Sequence, residues 1–265
     1  MTICHAIHLI QSNRMQRIRV LSYNIQAGID TQSYRDYVTH SWKHILPHRD
    51  RERNLNRISG LLHNYDLVGL QEVDSGSLRT GFVDQTRYLA KRAGFPHWHK
   101  QINRNLGKLA QHSNGLLSHL KPSLLTEHKL PGLPGRGAIL CHFGDSDQRL
   151  VVCILHLALG RRARMRQVSY ISELMADYPY AIIMGDLNCG ADSPEVALLM
   201  DRLNLWEPTT LESTFPSWRP MKKIDHILVS RSLGIEKARV LNYACSDHLP
   251  ISLDVLLPEG LNIAA

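Results

Sequence analysis

Six short polar clusters interrupt or directly follow apolar runs in this sequence: Tyr23-Asn24-Ile25-Gln26, Gln71-Glu72-Val73-Asp74, His156-Leu157-Ala158-Leu159-Gly160, Gly185-Asp186-Leu187-Asn188, Ile224-Asp225-His226 and Ser246-Asp247-His248. Taken singly, each is an ordinary strand-end loop, where water reaches the charge and burial costs nothing. Taken together, they put carboxylates, amides and imidazoles where strand tips can converge. That inventory suits hydrolysis of a phosphate ester. Oxygen donors such as Glu72 and Asp247 suit Mg²⁺ or Mn²⁺, hard cations that keep several waters and bind through one or two carboxylates. A free Asp near such a metal can take the proton of an attacking water, a contribution of roughly 10²–10⁴ in rate. An imidazole can donate to phosphoryl oxygens as negative charge develops, and a carboxylate can fix its tautomer. Neutral Asn side chains orient a phosphate or a metal without repelling an anion.

The elements that must position these groups follow from periodicity. Arg17–Gln26 alternates apolar and polar residues and ends in a polar tip, as a half-buried strand does. Leu67–Glu72 is a second strand of this kind. Leu116–Leu117, Ala138–Phe143, Leu150–Leu157, Tyr180–Met184, Ile224–Ser230, Lys237–Leu241 and Ile251–Leu256 complete the expected strands. Leu150–Leu157 is apolar throughout, as a strand covered on both faces is. Helices are expected over Asn54–Asn64, Asp84–Ala93 closed by Gly94, Arg161–Ala176, and from Ser193-Pro194-Glu195, where Ser caps and Pro takes the first position. Mixed strands and helices point to an α/β fold of two packed sheets with helices outside, the polar strand ends gathering a site.

The chain has 265 residues, 43% hydrophobic and 21% charged, which excludes a disordered or collagen-like protein. Lys+Arg 31 against Asp+Glu 24 gives +7, favouring anionic partners such as phosphate esters, nucleic acid or a membrane surface. Five cysteines are scattered without a CxxC pair, which fits a reducing compartment. No apolar run reaches the roughly 18–20 residues of a membrane span, and the start lacks a basic region and a cleavage site, so a cytoplasmic location is expected. Residues 1–14 are expected to be a flexible extension, and 15–265 a single domain, because no repeat or linker divides them.

The ordered clusters YNIQ, LQEVD, HLALG, GDLN, IDHILVS and SDHLPI resemble the endonuclease/exonuclease/phosphatase superfamily, whose members are deoxyribonuclease I-like. Each motif is weak alone; six in the right order, from Arg17 to about Leu257, are specific. The resemblance implies a four-layer α/β sandwich, two packed mixed sheets flanked by helices, with the site at one edge. It also implies roles. Asn24 is similar to the phosphate-orienting Asn, which also serves the metal, and Glu72 to the principal metal ligand, with Asp247 the second metal-side carboxylate. Asp186 resembles the residue that activates water, and Asn188 the one stabilising phosphoryl oxygens. His248 resembles the imidazole at the scissile phosphate, held by Asp225. His156 resembles an additional His of the deoxyribonuclease, sphingomyelinase and 5-phosphatase branches. Two departures lead away from an abasic-site repair enzyme: Gln26 stands where those enzymes carry Asp, and HLALG keeps a His they lack. Arg-Pro after Pro216-Ser217-Trp218 departs from the 5-phosphatase pattern.

Other features are weighed on the same terms. His40, His44 and His48 share a helical spacing, but Pro47 breaks it, and a solvated segment is expected. His97 and His99 flank Trp98 on a strand and read as a surface pair. Asn114 is a candidate substrate contact. Arg161, Arg162, Arg164 and Arg166 follow HLALG at a helix start, where guanidinium groups attract anions; Arg162 is taken as the substrate contact there, and Arg219 near Lys222 and Lys223 as another. Trp218 can stack on a base or a headgroup, or plug the core. The expected function is a Mg²⁺- or Mn²⁺-dependent phosphodiesterase using direct water attack, a nuclease ahead of a phospholipid or sugar-phosphate esterase. The alternative is a non-catalytic scaffold of the same fold, which the presence of Glu72, Asp186, Asn188, Asp247 and His248 disfavours.

Overall fold

Alternation along the first strand sets the layers. In Arg17–Asn24 (β1), Ile18 and Val20 point into one apolar cluster while Leu21 and Tyr23 point into another. A strand with two apolar faces must be covered on both. The structure, a computed structural model, describes residues 15–29, 49–107, 109–144, 149–208, 212–261 and 263, the side chains of 49 and 50 excepted. Residues 1–14 and His40, His44 and His48 lie outside the described residues.

After β1 the described elements run α1 (Arg49–Leu62), β2 (Leu67–Asp74), α2 (Gln85–Ala93), β3 (His97–Asn105), β4 (Gln111–Ser118), β5 (Leu124–Lys129) and β6 (Gly137–Phe143). They continue with β7 (Leu150–His156), α3 (Arg161–Leu174), β8 (Tyr180–Asp186), α4 (Pro194–Leu203), β9 (Leu205–Trp206), β10 (Asp225–Ser230), β11 (Gly234–Val240) and β12 (Ile251–Leu256). Two six-stranded sheets form, ordered β11-β12-β1-β2-β4-β3 and β5-β6-β7-β8-β10-β9. Each is antiparallel except at one central pair: β1 and β2 are parallel in the first, β7 and β8 in the second.

The sheets face each other across a core that includes Ile18, Val20, Ile154, Met184, Ile227 and Val255. Helices α1 and α2 cover the outer face of the first sheet through Leu55, Ile58 and Leu89. Helices α3 and α4 cover the second through Val168, Ile171, Val196 and Leu199. The result is the expected four-layer α/β sandwich. Each fully buried aliphatic side chain in these layers contributes about 1.5–3 kcal/mol. The sheets approach closely at Gly69 of β2, where a Cβ would stand 2.8 Å from Met184 Cε and 3.1 Å from Ile154 Cγ1.

The helix punctuation follows the sequence. Asp84 is the N-cap of α2 rather than its first residue, accepting from Arg87 N at 3.1 Å, and Gly94 closes the helix in the left-handed region. Ser193 caps α4 by accepting from Val196 N. The largest departure is β4: a two-residue apolar signal, Leu116–Leu117, belongs to a strand running from Gln111 to Ser118. Its polar first half is held by pairing on both sides, with β2 and β3.

Candidate active site

Topology brings the polar clusters to one end. The parallel strands β1, β2, β7 and β8 end in Asn24, Asp74, His156 and Asp186. Their antiparallel neighbours enter at the same end: β10 begins at Asp225, which pairs in register with Asp186, and β12 begins just after His248. His156 also pairs in register with Asp186 across β7 and β8.

Asp186 is the centre. One carboxylate oxygen, Oδ2, accepts from Asn24 Nδ2 at 3.1 Å, and lies 3.4 Å from His156 Nε2 and 3.8 Å from His248 Nε2. The other, Oδ1, accepts from the backbone N–H of Asn188 at 2.9 Å. His248 is oriented from behind: its Nδ1 donates to Asp225 Oδ2 at 2.8 Å, and that oxygen also accepts from Thr214 Oγ1 at 2.5 Å. The Phe215 ring packs against the imidazole, with centroids 4.9 Å apart. Ser246 ties this segment to β1, its Oγ donating to Asn24 O at 2.6 Å. Asn24, His156, Asp186, Asp225, Asp247 and His248 are all buried. Asn188 turns its amide the other way, donating from Nδ2 to Leu157 O at 2.9 Å.

Backbone conformation aims several of these groups. Gly185 sits at φ +146°, where a Cβ would stand 1.9 Å from Leu155 O; only glycine lets the end of β8 pass β7 and deliver Asp186. Asn188 and Glu72 both adopt positive φ, 54° and 56°, strain of a kind that gathers at functional sites. At Glu72 the cause is visible. The β2–β4 register shifts between Leu70 and Val73, so a bulge turns the Glu72 side chain away from the ladder.

Electrostatics follow from this burial. Desolvation raises the Asp186 carboxyl to about 7, helped by the nearby charges of Asp225 and Glu72 and opposed by His248. Desolvation alone would lower His248, but the charge of Asp225 and the hydrogen bond to it, then Asp186 and Asp247, outweigh it and hold the imidazole at about 10. His156 goes the opposite way: burial, Arg136 and His248 push it well below its ordinary value, so it is neutral. A positive donor, a carboxyl titrating near neutrality and a neutral imidazole therefore share one buried pocket. Such a set can activate a water and stabilise a developing negative charge.

Two cavities adjoin residues of this site. One, about 640 Å³, is lined by Glu72, Arg104, His112, Arg136, Arg162 and Arg166, among others. The second, about 600 Å³, is lined by Asn188, Asp192, Lys222 and Ile224, among others. Sequence reasoning passed over Arg104, His112, Arg136 and Thr214. His112 lies two residues before Asn114 on β4, and that spacing was the available signal. Arg104 and Arg136 gave none, since they lie at a strand end and in a loop. Burial and the Arg79 charge lower His112 to about 4.

The remaining candidates sit as follows. Asp247 is buried beside His248, its Oδ1 accepting from Ser246 Oγ at 3.2 Å. Asn114 is buried and donates to Gly137 O at 2.9 Å. Arg162 faces the same cavity as Glu72. Arg164 turns away and pairs with Glu195 at 2.9 Å. Arg219 is exposed on the turn after Pro216, outside both cavities, and Trp218 is half-buried beside it. His97 and His99 are half-buried, and His99 pairs with Glu127 at 2.6 Å.

Asp186, Asp225 and His248 have ligand atoms within 4.8 Å of one another, a spacing that could hold a metal ion. Asp225 and His248, however, already bond to each other. Among the described residues Glu72 makes no hydrogen bond or ion pair. Half-buried at a strand tip, it is a hard oxygen donor of the kind Mg²⁺ and Mn²⁺ take.

No curated protein matches the chain. Solved structures match its fold. One, an endonuclease/exonuclease/phosphatase from Bacteroides vulgatus, is 16% identical with a TM-score of 0.71, covering 92% of this chain and 100% of that one. A Bacteroides thetaiotaomicron mannosyl-6-phosphatase is 17% identical with a TM-score of 0.68, covering 91% and 100%. The human Nocturnin catalytic domain, with bound sulfate anion, is 19% identical with a TM-score of 0.68, covering 93% and 95%. The model of the Endonuclease/Exonuclease/phosphatase family matches residues 21–248. The chain belongs to that family of hydrolases, which act on phosphate esters.

Proposed function

We propose that the protein is a divalent-metal-dependent phosphodiesterase in which a water attacks phosphorus directly. The observation that carries this is the buried trio of Asp186, His248 and Asp225, with His248 Nδ1 on Asp225 at 2.8 Å and its Nε2 turned toward Asp186 at 3.8 Å. In this reading Asp186, held by Asn24 and the Asn188 backbone, accepts the proton of the attacking water. A carboxyl titrating near 7 is matched to that task at neutral pH. His248, kept positive by Asp225, donates from Nε2 to a phosphoryl oxygen, His156 lines the same charge, and Asn188 would join them by turning its amide from Leu157 O. Glu72, Asp247 and Asn24 would hold Mg²⁺ or Mn²⁺. When bound, the metal neutralises phosphate charge and polarises phosphorus.

A diester is favoured over a monoester because two separate cavities adjoin residues of the site, one lined by Glu72 and the other by Asn188. Among diesters, the basic first cavity and the +7 net charge favour nucleic acid. A second reading, a phospholipid or sugar-phosphate ester, rests on Leu133 and Leu159 at the cavity mouth, 86% and 76% exposed. Hydrolysis of bis-p-nitrophenyl phosphate with Mg²⁺ or Mn²⁺ tests the class, and unchanged activity in Asp186→Ala would refute the assignment of the base. A panel of single-stranded DNA, duplex DNA, RNA, phospholipids and inositol phosphates separates the substrates. Liposome sedimentation at low and raised salt tests a surface-bound enzyme, since salt screens that attraction.

A further inference from the structure

The cavity beside Glu72 holds more positive charge than one phosphate group needs. Arg104, Arg136, Arg162 and Arg166 all line it, against the single carboxylate of Glu72. Several other arginines of the fold are paired with carboxylates: Arg164 with Glu195, Arg79 with Asp74 and Arg19 with Asp66. Arg104, Arg162 and Arg166 are not. Among the described residues, their guanidinium groups make no hydrogen bond or ion pair.

The cavity is also built. Leu133, Pro134, Gly135 and Arg136 line it as one wall, from a turn in which Gly132 and Gly135 both sit at φ +115°. The Arg104 side chain packs over Gly135, 3.4 Å from where a Cβ would stand, and Arg166 Nη2 lies 3.8 Å from the same point on Gly132. Arg136 is anchored, donating from Nε to Leu157 O at 2.8 Å and from Nη1 to Gly135 O at 3.1 Å. Its charge reaches both Glu72 and Asp186, so it links the cavity to the reaction centre.

Exposed guanidinium groups that line one cavity of this size without a carboxylate partner are suited to bidentate recognition of phosphate. The reacting phosphoryl group already has His248, Asn24 and the metal ligands. We infer that Arg104, Arg136, Arg162 and Arg166 bind a second phosphate on the substrate, distinct from the one being cleaved. The inference rests on the phosphodiesterase reading above and narrows its substrate to one bearing two phosphates within a single cavity's reach. Such a substrate is either a nucleotide chain, whose neighbouring phosphate enters the cavity, or a small bisphosphate.

The test measures binding without turnover. Calorimetry on metal-free protein compares adenosine 3′,5′-bisphosphate with adenosine 5′-monophosphate, for the wild type, for Arg162→Gln/Arg166→Gln, and for Arg87→Gln, an exposed arginine on α2 away from the cavity. The wild type is expected to prefer the bisphosphate by about tenfold or more, since a phosphate bound by several guanidinium groups is worth at least that. The double variant is expected to lose most of the preference, and Arg87→Gln to keep it. No preference in the wild type, or an equal loss in Arg87→Gln, overturns the inference. Relative kcat/KM for thymidylyl-thymidine with and without a 5′ phosphate separates the two sources. A gain from the added phosphate assigns the cavity to a chain, and a gain confined to the bisphosphate assigns it to a small molecule. If bis-p-nitrophenyl phosphate is not hydrolysed while the bisphosphate preference stands, the phosphodiesterase reading fails and the phosphate site does not.

Discussion

Replacing Asp225 with Asn tests the proposed division of labour most directly. Asp225 is buried, and its Oδ2 sits 2.8 Å from His248 Nδ1. Its charge and that hydrogen bond, opposing desolvation, are the main reasons the imidazole is held at about 10 rather than 6.5. Asparagine keeps the shape and can still accept from Thr214, but removes the charge. His248 then loses its two largest upward contributions, burial opposes what Asp186 and Asp247 still supply, and the imidazole is expected to return to about its ordinary value. At pH 8 the protonated fraction falls from nearly all to about 3% or less, a loss of about thirtyfold or more in any step that needs the proton. At pH 6 much of that proton returns, whereas the wild type is fully protonated at both values. The deficit of Asp225→Asn relative to wild type therefore contracts by at least about tenfold between pH 8 and pH 6. Initial rates with bis-p-nitrophenyl phosphate, taken alongside thermal melts that confirm folding, measure it. A wild-type rate at pH 8, or a deficit of equal size at both pH values, refutes the role given to His248.

Asp186→Asn is expected to lower kcat by roughly 10²–10⁴. It is also expected to melt higher than wild type at pH 8 in the presence of a chelator. The folded carboxyl binds its proton up to about 7 and the unfolded one only to about 3.8, so wild-type stability falls as pH rises between those values; the gap should close as pH is lowered through that window, and an equal gap at pH 4 and pH 8 would contradict the burial argument. Glu72→Gln should raise the Mn²⁺ concentration for half-maximal rate by more than about tenfold, and EDTA should abolish activity that Mg²⁺ or Mn²⁺ restores; an unaltered metal titration would move the ion elsewhere, with Asp186, Asp225 and His248 the next candidates. Gly185→Ala places a methyl 1.9 Å from Leu155 O at a backbone angle side chains avoid. A loss of more than about 3 kcal/mol is expected, read as failure to fold or a melting temperature lowered by more than about 6 °C.

What the sequence made legible was whatever periodicity or a polar tip betrays. Leu150–Leu155, apolar throughout, belongs to the doubly covered strand it reads as, and Asn24, Asp186 and Asp225 meet because each ends or starts a strand at the same end, where the segment leading into β12 brings His248. The polar segments were harder. Leu124–Lys129 and the first half of β4 carry too few apolar residues to announce a strand, and hold their conformation through pairing with a neighbour. The cavity residues were least legible. Arg104 and His112 face each other across the β3–β4 pairing, a register the sequence does not announce, and Arg136, more than twenty residues further on, joins them through the turn before β6. Glu72 was visible as a residue, but not its aim, because the bulge that turns it is set by a register offset between two strands.

The bond from Asn24 on β1 to Asp186 on β8 joins the two sheets. Neither sheet owns the proposed reaction centre; each brings half of it, and the halves are aligned only while the faces around Gly69, Ile154 and Met184 stay in register. On the proposed assignment, catalysis is a reporter of interlayer docking. A perturbant that loosens this seam without melting either ladder should silence the enzyme while its circular dichroism still looks native, and a methyl trimmed from Ile154 should be felt at Asp186, although the two side chains share no chemistry.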